Sequence, residues 1–356
     1  MSERLRRLRV LMEKERLEAL VVSTGVNRYY LSGFTGTAGV LVITGGESIL
    51  YTDFRYLEQA VAECAGFQVR DHESRLPEKL AVDLNGYRRL GLEAADSHRF
   101  WQMAGENLSG ELVPADTLMA RLRMVKDAGE VECIRQAAAV ADQVFGDLAG
   151  WLQPGMTELE ATLELENRMR RLGASGTSFD TILASGERSA LPHGVSSDRI
   201  IGIGDMVVLD FGCVVRHYCS DMTRTFYVGE PGPEEIRVYD IVQRARQEAI
   251  EAVRPGISAR EVDRVARDII TGEGYGRFFG HGTGHGVGLE IHEEPGVSPR
   301  SETLLMENMV ITVEPGIYLE GRFGVRIEDL VLVSAGGCEV LSRSSREFIN
   351  LSSGWR

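Results

Sequence analysis

Cysteine is scarce in this 356-residue chain: there are five, an odd number, and no two stand in Cys-x-x-Cys spacing. That pattern speaks against a disulfide framework and predicts reduced thiols in a reducing compartment. Cys213 and Cys219 flank an expected hairpin and are read as packing residues. Basic charge is also short, with 39 Lys and Arg against 53 Asp and Glu, a formal net charge of −14. A nucleic-acid partner needs clustered Lys and Arg and is therefore not expected. The surplus carboxylate by itself is ordinary solvated surface. No apolar run is long enough to span a bilayer, so no membrane partner is expected. Residues 1–16 lack the apolar stretch of a secretory signal. Together these absences predict a cytoplasmic protein. Its hydrophobic content of 43% and charged content of 26% are those of a soluble globular chain.

Histidine is also sparse, seven in all, yet His281, His285 and His292 fall in one segment, residues 279–295. It reads FGHGTGHGVGLEIHEEP. His281 and His285 would share a face on a helix, but each glycine there costs about 1 kcal/mol relative to alanine. The composition predicts instead an extended segment whose backbone passes close to a neighbour. A glycine-rich turn holding histidines points to a ligand or catalytic site.

The length suits two domains, or one large domain with a cap. Leu5, Leu8, Leu11, Met12 and Leu20 predict an amphipathic helix over 5–20. Strands are expected at 19–22, 39–43 and 48–51, the last two joined by a hairpin at 44–47. Residues 27–36 read as a polar-aromatic loop. Helix 54–64, strand 68–70, helix 77–84, strand 90–93 and helix 97–108 follow, an alternation that predicts an α/β layer domain. No glycine-rich phosphate fingerprint follows any of these strands, and His72 and His98 read as surface residues. A boundary is expected near 121–126, giving domains 1–122 and 123–356. Asp127 is the predicted N-cap of a long helix ending near Leu152.

The second part repeats itself. Residues 153–160, QPGMTELE, recur as 254–261, RPGISARE, with Gly155 and Gly256 101 positions apart. Each copy follows an amphipathic pattern, 134–152 or 236–253. Each opens a further helix with a predicted capping box, Thr157 with Glu160 and Ser258 with Glu261. Downstream, 205–212 (DMVVLDFG) resembles 308–316 (NMVITVEPG): a hydrophobic strand, a carboxylate, then a glycine turn. The carboxylates are Asp210 and Glu314. A second strand in each copy bears another, Asp221 or Glu328. The duplication predicts two helix–helix–strand copies about a pseudo-two-fold axis, an α+β domain. If the halves face each other, the four acids converge. Four unpaired carboxylates in apolar surroundings are severely unfavourable. Two divalent cations would offset them, with His285 as a neutral nitrogen ligand. Two such cations can share a water, lower its pKa and clamp a tetrahedral intermediate.

The ordered set Asp210, Asp221, His285, Glu314 and Glu328 resembles the ligand set of the pita-bread metallopeptidases, which include prolidase, aminopeptidase P and methionine aminopeptidase. The strings LDFG, SDMTRT, GHGTGHGVGLEIHE, VEPGIY and VRIEDLVLV are similar to its Xaa-Pro-cleaving branch. The resemblance spans the chain. It implies an α/β N-terminal creatinase-type domain followed by an α+β pita-bread domain with the internal repeat. It implies a dinuclear exopeptidase that hydrolyses Xaa-Pro dipeptides, with aminopeptidase P action on longer peptides as the alternative. Asp210 and Asp221 would bridge or chelate, Asp221 touching both metals. His285 would bind one metal, and Glu328 would bridge. Glu314 would bind a metal and act as general base toward the bridging water. His193 matches a histidine that contacts substrate or shuttles a proton. His281 and His292 match the pair that stabilises the substrate carbonyl or the intermediate. Arg326 matches an arginine beside the bridging glutamate.

The resemblance further implies two divalent metal ions per subunit (Mn, Co, Zn or Fe), a small peptide substrate and a homodimer. Some prolidases carry a basic residue just after the His-Glu-x-Pro string to hold the dipeptide carboxylate. Gly296 stands there in this chain, and Arg300 is the nearest alternative. His217 is read as structural. A metal-free creatinase-like hydrolase and a non-catalytic binding module on this fold are disfavoured, because both lack the full ligand set.

Overall fold

The computed structural model describes residues 3–94, 97–152 and 155–351. The chain divides into two compact units, Met1–Arg123 and Met124–Arg356. In the first, α1 (Glu3–Lys14), β1 (Ala19–Val22), α2 (Gly25–Ser32), β2 (Val40–Thr44), β3 (Ser48–Thr52) and α3 (Leu57–Glu63) come first. They are followed by β4 (Gln68–Asp71), α4 (Leu76–Asp83), β5 (Arg89–Leu92), α5 (His98–Asn107), β6 (Glu111–Pro114) and α6 (Asp116–Met124). The strands form one six-stranded sheet in the order β4-β3-β2-β1-β5-β6. Strand β1 lies antiparallel to β2 and parallel to β5. Every residue of β1, β2 and β3 is buried, as continuous apolar runs are when both sheet faces are covered.

Three local expectations need correction here. Helix α1 stops at Lys14 because Arg16 turns left-handed (φ 57°), so Leu20 belongs to β1. The stretch read as a loop at 27–36 begins inside α2. Its start is capped from far away: the buried Glu93 carboxylate accepts Ser23 N and Thr24 N, both at 2.8 Å, and Asn27 Nδ2 at 2.6 Å. Strand β6 was not foreseen; it is a four-residue edge strand with no buried residue, too short to show an alternating pattern.

The second unit opens with α7 (Ala128–Gly146), capped by the reciprocal Asp127–Glu130 box. The helix expected to reach Leu152 breaks at Gly146-Asp147, two weak helix formers, and resumes as α8 (Leu148–Trp151). Then come α9 (Glu158–Arg171), β7 (Gly176–Thr177), β8 (Ile182–Ser185), β9 (Met206–Phe211), β10 (Cys213–Val215), β11 (Tyr218–Cys219) and β12 (Met222–Tyr227). The second half has α10 (Pro233–Ala252), α11 (Ala259–Gly272), β13 (Gly284–Gly286), β14 (Glu293–Val297) and β15 (Val310–Val313). It ends with β16 (Gly316–Leu319), β17 (Phe323–Arg326), β18 (Asp329–Ser334), β19 (Gly337–Val340) and β20 (Ile349–Asn350).

The duplication is present down to single hydrogen bonds, although Gln153 and Pro154 of its first copy lie outside the described residues. Helices α9 and α11 both run 14 residues. Thr157 bridges Ile200, and Ser258 bridges Leu304. Glu158 N donates to Arg199 O and Ala259 N to Thr303 O, both at 2.9 Å. Gly173 and Gly274, just past the two helices, are both left-handed (φ 99° and 87°), as a helix stop favours. The boxes differ in one respect. Thr157 and Glu160 cap reciprocally, but Glu261 turns its carboxylate to Arg264 and leaves Ser258 to cap alone. In each half the helix packs its apolar face on a sheet: Ala161 and Leu165 against Leu183 and Leu209, Val262 and Ala266 against Ile311 and Val331.

Cys213 and Cys219 are buried, and all five cysteines are free. Burial pushes the Cys213 thiol up to about 11 and the Cys219 thiol to about 12, so both stay protonated packing groups. Arg216 and His217 form the tight left-handed turn between β10 and β11. No helix among the described residues is long and apolar enough to cross a membrane.

Candidate metal centre

Each half delivers its acids where a strand ends. In the first half, Asp210 lies near the end of β9 and Asp221 just before β12, with Asp210 paired to Thr223 across the two strands. In the second, Glu314 follows β15. The strand expected to carry Glu328 is interrupted: β17 ends at Arg326, β18 begins at Asp329, and Glu328 sits between them. It is drawn across to the first half, donating N to Thr223 O at 3.1 Å and accepting Thr223 Oγ1 on Oε2 at 2.6 Å.

His285 enters on β13, whose two flanking glycines explain the glycine-rich sequence. A Cβ on Gly284 would lie 2.0 Å from Thr312 O, and one on Gly286 2.4 Å from Glu294 O. The backbone therefore passes between two neighbouring strands, as the composition predicted. Thr312 Oγ1 accepts His285 N at 3.0 Å and itself donates to Glu314 Oε1 at 3.3 Å. His285 Nδ1 lies 3.1 Å from Gly286 O. A carbonyl can only accept, so this nitrogen carries the proton and Nε2 presents its lone pair. That lone pair faces Asp221 Oδ2 at 3.5 Å and Glu314 Oε1 at 3.4 Å. Ligand atoms of Asp221, His285 and Glu328 lie within 4.8 Å of one another.

The electrostatics are those of a cation site. Burial, then the charges of Glu328, Asp210 and Glu314, raise Asp221 well above the ordinary carboxylate range. Burial, then Glu314 and Asp210, raise Glu328 well above it too, and burial also raises Glu314. The buried Oδ1 atoms of Asp210 and of Asp221 have no hydrogen-bond partner, an arrangement that costs free energy unless something else satisfies them. Burial lowers His285, His281 and His292 alike, favouring neutral imidazole. Hard carboxylate oxygens with one imidazole fit first-row divalent cations.

The predicted site residues all line one pocket of about 460 Å³: His193, Asp210, Asp221, His281, His285, His292, Glu314, Arg326 and Glu328, with Phe179, Ile182, Val195 and Ile291 as apolar walls. The His292 ring stands 4.4 Å from that of His285. Arg326 was expected near Glu328: its charge acts on that acid, and its Nε donates at 3.2 Å to Thr223 Oγ1, which in turn donates to Glu328. Its Nη2 also donates to Asp210 Oδ2 at 2.5 Å. Burial pulls the Arg326 pKa down, but Tyr318, Asp210 and Glu314 outweigh it, and the guanidinium stays charged. Arg300 is exposed and not part of the lining. His72 and His98 belong to the first unit and lie outside this pocket.

Tyr318 was missed. Its hydroxyl accepts Arg326 Nη1 at 2.9 Å and stands 2.9 Å from His281 Nε2. His281 Nδ1 faces Gly282 O at 2.7 Å, so Nδ1 carries the proton and Nε2 accepts from Tyr318. The chain His281–Tyr318–Arg326–Asp210 is thus hydrogen-bonded throughout, and both His281 nitrogens are engaged, Nε2 in this chain and Nδ1 on Gly282 O. His193 and His292 have no such bonds among the described residues. The only signal for Tyr318 in the sequence is its place in the VEPGIY string.

Residues 132–335 match the profile of metallopeptidase family M24, and residues 4–125 that of the creatinase/prolidase N-terminal domain. The chain belongs to metallopeptidase family M24. Among M24 relatives, the chain is 39% identical to the Xaa-Pro dipeptidase of Pyrococcus furiosus over 98% of this chain and 100% of that one. The solved structure of the Xaa-Pro dipeptidase from Bacillus anthracis is 41% identical, with a TM-score of 0.95 over 98% of this chain and 99% of that one. That of an X-Pro aminopeptidase from Thermotoga maritima is 39% identical, with a TM-score of 0.88 over 95% and 99%. The pita-bread architecture expected from the sequence, behind a creatinase-type N-terminal domain, is therefore the one this M24 chain adopts, and the protein is a metallo-exopeptidase.

Proposed function

We propose that this protein is an Xaa-Pro dipeptidase working with two divalent cations drawn from Mn, Co, Zn and Fe. The observation that carries the reading is the convergence of four carboxylates and one neutral imidazole on one pocket, with two buried carboxylate oxygens left unsatisfied. Asp210, Asp221, His285, Glu314 and Glu328 are the assigned ligands. Divalent cations held there would polarise the scissile carbonyl and acidify a water.

The chain's own groups supply the rest. Glu314, whose burial raises its pKa, takes the proton of the attacking water and returns it to the leaving proline nitrogen. His292 and His193, with free ring nitrogens, face the reacting carbonyl. Arg326 fixes Asp210 and, through Tyr318, the ring of His281. The walls Phe179, Ile182, Val195 and Ile291 suit a pyrrolidine ring and an apolar side chain before it. An Xaa-Pro bond has no N–H to offer, so a site that grips the carbonyl rather than the amide suits it. The protein acts in the cytoplasm, in keeping with five unpaired cysteines, and as a homodimer, as the family resemblance implies.

The test is metal-stripped enzyme reloaded with Mn, Co or Zn and given Ala-Pro, Met-Pro and a longer Xaa-Pro-Xaa peptide. Metal-dependent cleavage of the dipeptides alone is expected. One observation favours the aminopeptidase alternative: Gly296, at the position where some prolidases carry a basic residue, offers no side chain to hold a dipeptide carboxylate, and Arg300 does not line the pocket. Efficient cleavage of the longer peptide would therefore move the assignment to an aminopeptidase. No cleavage of any of the three by metal-loaded protein would refute the substrate class.

A further inference from the structure

His193 reaches the pocket on a loop, and the two ends of that loop are fastened to one buried carboxylate. The loop leaves β8 at Ser185, makes a 3-10 turn at Gly186–Ala190 and returns through Pro192, His193 and Val195 to Ser197. Glu158, the first residue of α9, is fully buried. Its Oε1 accepts Ser185 N and Ser185 Oγ, both at 2.8 Å. Its Oε2 accepts Ser197 N at 2.9 Å, Ser197 Oγ at 2.7 Å and Arg188 Nε at 3.1 Å. Five donors from the loop therefore saturate one carboxylate, which offers about four lone-pair directions in all.

The loop is also held at its other side. Arg326 Nη1 donates to Pro192 O at 3.0 Å, immediately before His193, and Gly324 N donates to Ser189 Oγ at 2.9 Å. The His193 carbonyl accepts Val195 N at 2.9 Å within the loop, but its ring has no hydrogen bond among the described residues, so the loop sets where the ring stands. The duplicated half has Ala259 at the position of Glu158, equally buried. A buried acid at this position is thus not required by the fold; it occurs in the half that carries the His193 loop.

We propose that Glu158 is a positioning residue for turnover: it anchors both ends of the loop and thereby fixes His193 over the metal centre. The proposal rests on the reading that His193 acts on substrate. Glu158→Gln keeps the size but turns an amide donor toward loop donors, so at least two of the five bonds are lost.

The experiment is a double-mutant cycle with metal content and thermal unfolding measured on every protein. Glu158→Gln is expected to lower kcat about 10- to 100-fold, as loss of a group that orients an active-site residue does, with KM and metal content near wild type. In a His193→Ala background the same substitution should change kcat by less than about twofold, since coupled residues are not additive. A full further loss in that background overturns the proposal, as does wild-type kcat in a folded Glu158→Gln protein. Wild-type turnover in His193→Ala alone removes the role of His193 and the proposal with it; a slow His193→Ala enzyme that Glu158→Gln slows further removes only the proposal. Should Glu158→Gln fail to fold, Ser185→Ala with Ser197→Ala deletes two of the donors. It carries the same cycle with an expected loss of about 3- to 10-fold.

Discussion

Asp221 sets the stability of the site as well as its affinity for metal. In the metal-free protein it is buried against Glu328, Asp210 and Glu314, and one of its oxygens has no partner. Its folded pKa is raised, so the stability it allows is fully present below the unfolded value of about 4 and is lost as pH rises through the folded value. At pH 8 the stripped protein has therefore lost stability that cation binding restores. Asp221→Asn removes the charge at nearly constant shape. At pH 8 the stripped variant should unfold at a temperature about 2–4 °C higher than stripped wild type, corresponding to ~1 kcal/mol. It should gain nothing when manganese is added, whereas wild type should rise well above both. Glu328→Gln should behave alike, because Glu328 shares the burial and the repulsion. Thermal melts with and without metal decide the matter: a variant that still gains stability from manganese would not fit the assigned ligands. Both variants should be inactive.

The same device recurs at the level of elements: a helix in each half grips the segment that carries site histidines. Helix α9 holds the His193 loop through Glu158, and through Thr162 Oγ1, which bonds Ser196 Oγ at 2.7 Å. Helix α11 holds the His281–His285 segment. Asp263 Oδ1 accepts Thr283 N at 3.0 Å and Thr283 Oγ1 at 2.9 Å, and Arg267 Nη2 donates to His281 O at 2.8 Å. Arg267 and Asp263 are themselves paired at 2.8 Å, the acid almost fully buried. Asp263→Ala should destabilise the fold by about 3 kcal/mol, since it leaves a buried N–H and a guanidinium without their acceptor. It should also weaken metal binding, His285 lying two residues beyond Thr283. Urea unfolding and metal titration test this; a loss of stability without any loss of metal affinity would separate the grip from the site. The duplication and its ligands were legible in the sequence because capping boxes and strand-end acids are local patterns. The grips were not. Glu158 at a helix start resembles any surface acid, and the partners that make it a clamp lie 27 and 39 residues away. Helix α2 escaped notice for the same reason, its cap Glu93 being 66 residues from Asn27. Glu328 was assigned to a strand interior because nothing local marks the break that Thr223, 105 residues away, imposes.

In the whole molecule, every assigned ligand and every pocket-lining residue falls within Met124–Arg356. So do the two large cores that pack the helices of each half on their sheets. The first unit has its own core, centred on Val21, Val42, Tyr51, Leu90 and Leu92. The cut between them falls at the last residue of α6, and α7 begins with its own reciprocal cap. Neither unit depends on the other for the start of a helix at this boundary. The metal centre should therefore be a property of the second unit alone. A fragment of residues 124–356 is expected to fold cooperatively and to bind manganese with the stoichiometry of the full chain. Its affinity should lie within about threefold, a difference below ~1 kcal/mol. Near-ultraviolet circular dichroism establishes that the fragment is packed, and metal titration then compares the two proteins. A packed fragment that binds no manganese would show that the acids of the two halves do not suffice, and that the first unit takes part in holding the cations. A packed fragment with full metal content but no dipeptide turnover would instead assign the first unit to substrate recognition, the role expected of a cap.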